Sequence, residues 1–436
     1  MTTGRGGRRL TATVTDLEVV EQRAYLIGVA TSSAESESAE HSLAELGRLT
    51  ATAGSDPVFT ELLIRSDLEP ALLIGKGQAQ RAVELSNAMD IDVVVFDNSL
   101  SPAQQRNLQG LFQCDVVDRQ AVILDIFAQH ASSREGMIQV ELALLEYHLP
   151  RLRGKGTELS RQAGGIATRG PGETKLETDR RRILQRIARL KRELKEVAAT
   201  RRTQRKARVR SNLPVVALVG YTNAGKSTLL NQITDADVLV EDQLFSTLDS
   251  SVRRCELTGG TPVLLSDTVG FIRDLPHQLV EAFQSTLDEV NNADLLLHVV
   301  DGSDPDADVQ IAAVRSVLGE IGAQQVPELF VINKSDAADP AAIQRLVEIH
   351  DGVAISAETG DGVEALLDAI EGRLTATSYR LVLEIPYERG DLLALLHRNG
   401  AVIEESHTEA GTLVEARLRG ELAAQFEPWV AAARDR

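Results

Sequence analysis

The stretch VVALVGYTNAGKSTLLNQIT, residues 215–234, decides the fold. An apolar run with strand character, VVALV, enters a glycine-bounded turn, and a helical pattern, TLLNQIT, leaves it. The turn has the form G-x-x-x-x-G-K-[ST], with Gly220, Gly225, Lys226 and Ser227 at the required places. Glycines at these points let backbone N–H groups face phosphate oxygens, so Gly220, Tyr221, Thr222, Asn223, Ala224, Gly225 and Thr228 join Lys226 and Ser227 as candidate nucleotide contacts. Lys226 reaches the β- and γ-phosphates, and the Ser227 hydroxyl is placed to ligate Mg²⁺. Strand, turn and helix in this order predict a mostly parallel α/β sheet around a phosphate loop.

The base is named further on. ELFVINKSD, 328–336, carries Asn333, Lys334 and Asp336 after a buried-strand pattern. A carboxylate at 336 accepts from the N1–H and exocyclic amine of guanine. Adenine would leave it unpaired, which is costly when buried. Asn333 and Lys334 hold the loop, and Ser356-Ala357, after GVAI, suit a second loop that meets the guanine oxygen. GTP is therefore the expected substrate and GDP the product.

Two segments suit γ-phosphate sensing. In LFSTLDSS, 244–251, Thr247 is the candidate Mg²⁺ ligand, with Ser246 as the alternative hydroxyl and Phe245 beside them. In SDTVGF, 266–271, Asp267 suits a carboxylate that holds the metal through water. Thr268 and Val269 follow, and the Gly270 amide is placed for the γ-phosphate. Lys226, Thr247 and Gly270 are thus the candidate catalytic groups of a GTP hydrolase. The next residue, Phe271, stands where many such enzymes orient the attacking water, and its side chain neither donates nor accepts a hydrogen bond.

The chain of 436 residues has 43% hydrophobic and 25% charged residues, an ordinary globular composition. Two cysteines far apart in sequence, Cys114 and Cys255, give no disulfide framework and suit a reducing, cytoplasmic setting. No apolar run approaches the roughly 20 residues of a membrane span, and the polar start is not a secretory signal. Net charge is −18, but residues 151–210 hold 20 Lys+Arg against 6 Asp+Glu, or +14, leaving −32 on the rest. A basic arm on an acidic body suggests contact with a polyanion at one place; a solvated, charge-laced helix is the alternative.

Five segments are expected: a disordered start (1–22), an α/β domain (23–132), a basic helical hairpin (133–211), the GTPase domain (212–375) and a small α+β module (376–436). In the α/β domain AYLIGVA, VFTELLI, ALLIG and DVVVFD read as strands, with helices over 42–53, 77–89 and 101–111. Residues 31–42 read as polar and mobile. Ser101-Pro102 reads as an N-cap followed by proline at the first helical position. Gly75-Lys76-Gly77 reads as a tight turn or an anion seat. Ile138, Leu142, Leu145, Leu149 and Leu152 form one helical stripe; Leu176, Ile183, Ile187, Leu190, Leu194 and Val197 form another. An antiparallel hairpin with a glycine-rich tip at 154–172 is the simplest reading; two separate surface helices are the other. The last segment reads as strand (379–385), helix (389–398), two strands (401–406, 412–418) and a closing helix (419–432).

With these residues located, the chain resembles the HflX family of ribosome-associated GTPases. The resemblance rests on LIGKG (73–77), VVVFDNSLSPAQQRNL (93–108), VVDRQAVILDIFAQHA (116–131), SREGMIQVELALLEYHLPRL (133–152), GGIATRGPGETKLETDRRRI (164–183), GYTNAGKSTLLNQ, LFSTLD and DTVGFIRDLPHQLVEAF. It implies GTP-dependent binding to the large ribosomal subunit, and splitting or rescue of stalled ribosomes under stress; the chain is expected to act as a monomer. The family also carries an apolar residue after DTVG. Arg151, Arg153, Lys155, Arg161, Arg169 and Lys175 are the expected rRNA contacts of the basic hairpin. The alternatives are a GTP-gated subunit-binding factor without splitting activity and an ATP-driven rRNA-remodelling enzyme.

Overall fold

The computed structural model describes residues 22–152, 171–209, 213–234, 245, 252–267, 270–273, 290–376, 378–398, 402–419, 423 and 425–431. By its contacts the chain divides into two units, the first built mainly from residues 1–196 and the second mainly from 197–436.

In the first unit, β1 (Gln22–Ala30), β2 (Ser55–Ile64), β3 (Val93–Phe96) and β4 (Asp115–Asp118) form a parallel sheet in the order β2-β1-β3-β4. Strands β1 and β3 lie inside, and their near-continuous apolar runs, from Ala24 to Ala30 and Val93 to Phe96, are buried. Pro57 falls on the edge strand β2, where a missing N–H is tolerated, and the register shifts beside it. Helices α1 (Ser36–Thr52), α2 (Lys76–Ala88), α3 (Pro102–Phe112) and α4 (Arg119–His130) complete the α/β layer.

The expected mobile stretch 31–42 is instead a 3-10 turn, Ser33–Glu35, running into α1. Two features explain it. Glu35 accepts hydrogen bonds from the backbone and hydroxyl of Thr31, and the helix buries Leu43, Leu46 and Leu49 two turns on. ALLIG is not a strand: Leu73 takes a left-handed φ of 64° in a turn that leads directly into α2. The α3 cap matches its reading, with Ser101 Oγ accepting from the Gln104 amide and Gln104 Oε1 from the Ser101 amide.

Helices α5 (Arg134–His148) and α6 (Pro171–Val209) carry most of the two predicted stripes; Leu149 and Leu152 fall in the 3-10 turn Leu149–Leu152 after α5. Ile138, Leu142, Leu145 and Leu149 share one apolar cluster with Ile183, Ile187, Leu190 and Leu194. Arg186–Glu141 and Lys191–Glu146 ion pairs flank it, each at 2.7 Å. The pair is packed together, not two independent surface helices.

A buried carboxylate fastens this helical pair to the sheet. Asp118 caps α4 by accepting from the Ala121 amide at 3.0 Å, and it also accepts from the Leu100 amide, Tyr147 Oη and Arg151 Nη2. Arg151 donates further to Gln105 Oε1, Leu100 O and Tyr147 O, with its guanidinium 3.5 Å above the Tyr147 ring. The guanidinium is therefore engaged within the fold, in hydrogen bonds that the expectation of an rRNA contact at Arg151 did not foresee. The sequence placed it in a basic run; only the fold reveals the buried carboxylate beneath it.

In the second unit, β5 (Val215–Gly220), β6 (Val252–Glu256), β7 (Pro262–Asp267), β8 (Leu295–Asp301), β9 (Glu328–Asn333) and β10 (Val353–Ala354) lie in the order β10-β9-β8-β5-β7-β6. All neighbours are parallel except β6 and β7. Helices α7 (Lys226–Thr234), α8 (Ala307–Glu320), α9 (Pro340–His350) and α10 (Val363–Ala376) accompany them. Glu371 of α10 clasps the β6–β7 turn, accepting from the Gly259 amide and Thr261 Oγ1. The strand order reverses on either side of β5, so its carboxyl end is where an open α/β sheet forms a ligand crevice.

Beyond α10, β11 (Ser378–Ile385), β12 (Val402–His407) and β13 (Thr412–Arg419) form an antiparallel sheet, ordered β11-β13-β12, which shares with helix α11 (Gly390–Arg398) a core around Leu383, Leu396, Val414 and Phe426. Arg419 belongs to β13, not to the expected closing helix, and Glu427–Trp429 is a 3-10 turn. Among the described residues no helix is long and apolar enough to cross a membrane.

Arg151→Ala leaves the fully buried Asp118 without its cation, so the first unit should lose about 2 kcal/mol. A lowered urea midpoint with unchanged guanine-nucleotide affinity is the expected result. An unchanged midpoint would show that Arg151 does not brace the helical pair.

Candidate functional site

The phosphate loop is shaped by positions where a side chain is excluded. Gly220 has φ 151°, and a Cβ there would stand 2.2 Å from the Val299 carbonyl oxygen of β8. Gly225 has φ 90°, and a Cβ there would meet Asn333 Nδ2, also at 2.2 Å. Asn223, at φ 59°, is of the type that tolerates the left-handed region best after glycine.

Lys226 opens α7 and is buried, its Nζ donating to the carbonyls of Gly220 at 3.1 Å and Tyr221 at 2.7 Å. Burial pulls this ammonium down to about 8, against the charge of Asp267, which pushes it up. Ser227 Oγ donates to Asp267 Oδ2 at 3.3 Å. A hydroxyl and a carboxylate on adjoining elements are the hard oxygen donors that Mg²⁺ takes, so the donor set fits that ion. Thr222 Oγ1 is buried with no hydrogen-bond partner among the described residues, a polar atom that a phosphate oxygen would satisfy.

Gly270 packs on the same loop: a Cβ there would come 3.0 Å from Thr222 Cγ2 and 3.3 Å from Lys226 Nζ. Two of the three candidate catalytic residues are thus brought together. The third, Thr247, lies outside the described residues, as do Ser246, Thr268 and Val269. Phe245 is described. Its φ is 63°, its ring is buried 4.6 Å from that of Phe127 in α4, and it groups with the first unit. Its side chain packs in the core of the first unit.

Phe271 is 1% exposed. Its amide donates to Gly220 O, and its carbonyl accepts from the Thr222 amide at 2.8 Å, a bridge that pins the residue beside the phosphate loop. Tyr221 Oη accepts from the Arg273 amide two residues later. The apolar side chain is therefore a packing requirement of this segment. Sequence had flagged Phe271 only for the hydrogen bond it lacks.

The base loops are tied by one carboxamide. Asn333 Nδ2 donates to Ala224 O at 2.8 Å, and Asn333 Oδ1 accepts from the Ala357 amide at 2.9 Å. Lys334, at φ 62°, pairs with Asp301 Oδ2 at 2.7 Å. Asp301 escaped the sequence reading, although DG directly after a buried strand was its available signal. Asp336 is exposed, open to a base, while Ser356 and Ala357 are buried. Ser356 Oγ accepts from the Thr359 amide, so this hydroxyl shapes its own loop.

Of the expected rRNA contacts, Arg153, Lys155, Arg161 and Arg169 lie outside the described residues, and Lys175 lies within α6.

A parallel sheet, a glycine-shaped phosphate loop and an asparagine-braced guanine loop define a P-loop GTP hydrolase. Comparison with known proteins agrees. Residues 215–334 match a family profile described as 50S ribosome-binding GTPase, 40–128 and 130–208 match the N-terminal and middle regions of GTP-binding GTPases, and 341–432 match the HflX C-terminal domain. The chain is 45% identical to GTPase HflX of Lacrimispora saccharolytica, covering 94% of this chain and 97% of that one. It is 43% identical to GTPase HflX of Escherichia coli, covering 85% and 88% respectively. A solved GTP-binding protein from Sulfolobus solfataricus in complex with GDP is 25% identical, with TM-score 0.42, over 81% of this chain and 99% of that one. The chain belongs to the HflX family of GTPases.

Phe271→Gln would bury an amide with no partner, so it should destabilise the second unit by about 2 kcal/mol without speeding intrinsic hydrolysis. Urea unfolding and single-turnover hydrolysis test this; a stable variant that hydrolyses GTP at least about tenfold faster would contradict the packing role.

Phosphates beside Lys226 raise its proton affinity, so nucleotide binding should take up a fraction of a proton near pH 8. The sign follows from a free-protein value near 8 that rises on binding: affinity is full below pH 8 and falls as pH climbs above it. Calorimetry in buffers of different ionisation enthalpy measures the uptake; none at pH 8 would contradict the assignment.

Proposed function

We propose that this chain is a Mg²⁺-dependent GTP hydrolase of the cytoplasm that acts as a monomer, docks on the large ribosomal subunit in its GTP form, and splits or rescues stalled ribosomes. The observation that carries the proposal is the burial of Phe271 where a water-orienting side chain would stand. With that position committed to packing, intrinsic hydrolysis is slow and the ribosome completes the site. Groups supplied in trans give roughly 10³–10⁵-fold in related GTPases. The match to a 50S ribosome-binding GTPase profile and the +14 charge of residues 151–210 support ribosomal RNA as the surface engaged.

Ser227 and Thr247 would hold the metal directly and Asp267 through water. The ion would neutralise charge between the β- and γ-phosphates. Asp336 selects guanine, Lys226 and the Gly270 amide meet the γ-phosphate, and Arg153, Lys155, Arg161, Arg169 and Lys175 meet rRNA phosphates.

Replacing residues 154–170 by a short Gly/Ser linker leaves α6 to start at Pro171 and leaves the second unit's loops intact. Guanine-nucleotide affinity should persist, while splitting of purified monosomes and subunit-stimulated hydrolysis are lost. Sucrose-gradient sedimentation with GTP reads the outcome. Splitting at the wild-type rate would assign the ribosomal contact to another surface. Docking without splitting by the wild-type protein would reduce the function to GTP-gated subunit binding.

A further inference from the structure

The first unit contains a cavity that the nucleotide chemistry does not use. It measures about 620 Å³ and is lined by Ser101, Pro102, Ala103 and Arg106 from the start of α3, Leu149 and Pro150 after α5, and Arg180 of α6. Its walls are mostly apolar, two arginines border it, and among the described residues none that lines it is acidic.

The three walls are held in place by interactions already described. Arg151, next to Pro150, donates to the Leu100 carbonyl and to Gln105, which fixes the Leu149–Pro150 wall against α3. The apolar cluster of α5 with α6 and the Arg186–Glu141 pair set the third wall. The Ser101–Gln104 box stiffens the mouth. A concave site built on braced elements is preorganised for a ligand.

Its chemistry selects the ligand. Arg106 and Arg180 are exposed at the rim, and Arg181 is exposed next along α6, in the segment that carries +14. Guanidinium groups beside an apolar seat match phosphates flanking a base. The volume falls within the roughly 300–1,000 Å³ of small-ligand pockets, room for one base with its sugar. A base stacked in a duplex cannot enter such a recess, whereas an unstacked base of a loop or bulge can. We propose that this cavity seats one unpaired nucleotide of an RNA strand, with the base against Pro102, Leu149 and Pro150 and the adjoining phosphates on Arg106 and Arg180. The inference rests on RNA as the partner and adds to it a second contact, distinct from the glycine-rich tip.

The test uses the full chain and a fluorescent single-stranded RNA of about six nucleotides, with a duplex of the same sequence as comparison. Arg106→Ala with Arg180→Ala should weaken single-strand binding at least about tenfold and reduce the salt slope by about 0.7 per arginine. Ala103→Trp fills the recess without changing charge; it should weaken binding similarly with the salt slope unchanged. A photoreactive uracil in the strand should crosslink to the residues around Pro102 and Pro150. Unchanged urea midpoints and GTP affinities exclude misfolding of the variants. Wild-type affinity in the double variant overturns the proposal. So does equal binding of duplex together with a neutral Ala103→Trp, which would mean a phosphate patch only. Short RNA needs no ribosome, so failure here leaves subunit docking standing, and failure of subunit docking leaves the oligonucleotide result standing.

Discussion

One carboxamide organises the nucleotide site. Asn333 closes β9 and reaches two other loops at once, donating to the phosphate-loop carbonyl of Ala224 and accepting from the amide of Ala357. Both contacts are buried, so leaving either group unpaired costs about 1–3 kcal/mol. Glycine at 225 follows from this, because any side chain there would occupy the place of the asparagine amide. The left-handed turn at Lys334 follows as well, since the chain must swing past the anchored asparagine to present Asp336. Phosphate recognition and base recognition are one braced structure.

That bracing clarifies the division of labour around the γ-phosphate. Lys226 and Gly270 come together on the phosphate loop without help from any other molecule. What hydrolysis needs in addition is an oriented water, and Phe271 is locked into the core by two backbone hydrogen bonds. Under the function proposed above, such a site keeps its triphosphate until the ribosome completes it.

Much of this was legible in the sequence because its signals are local. The phosphate loop needs glycine where the backbone must turn or approach closely, and the cluster of Ile138, Leu142 and Leu145 with Ile183, Ile187, Leu190 and Leu194 follows helical spacing, so both are legible from residue type alone. Other features depend on partners distant in the chain. Residues 31–42 look polar and mobile until Leu43, Leu46 and Leu49 are seen to pull the whole stretch into α1. ALLIG has strand composition, yet Leu73 turns left-handed. Arg151 sits among basic residues, and nothing nearby announces the buried Asp118, 33 positions earlier, that claims it. Charge runs report what a segment carries, not which of its charges the fold consumes.

The strand β7 is tied at both ends. At its foot, Glu371 clasps the turn that feeds it. At its head, the chain is caught again at Phe271 by bonds to Gly220 and Thr222. Between Asp267 and that second knot lie only Thr268, Val269 and Gly270. Gly270 is therefore one residue from a point fixed to the phosphate loop itself, because Phe271 bonds Gly220 and Thr222 on either side of Tyr221. The position of the Gly270 amide is set by the same loop that holds Lys226.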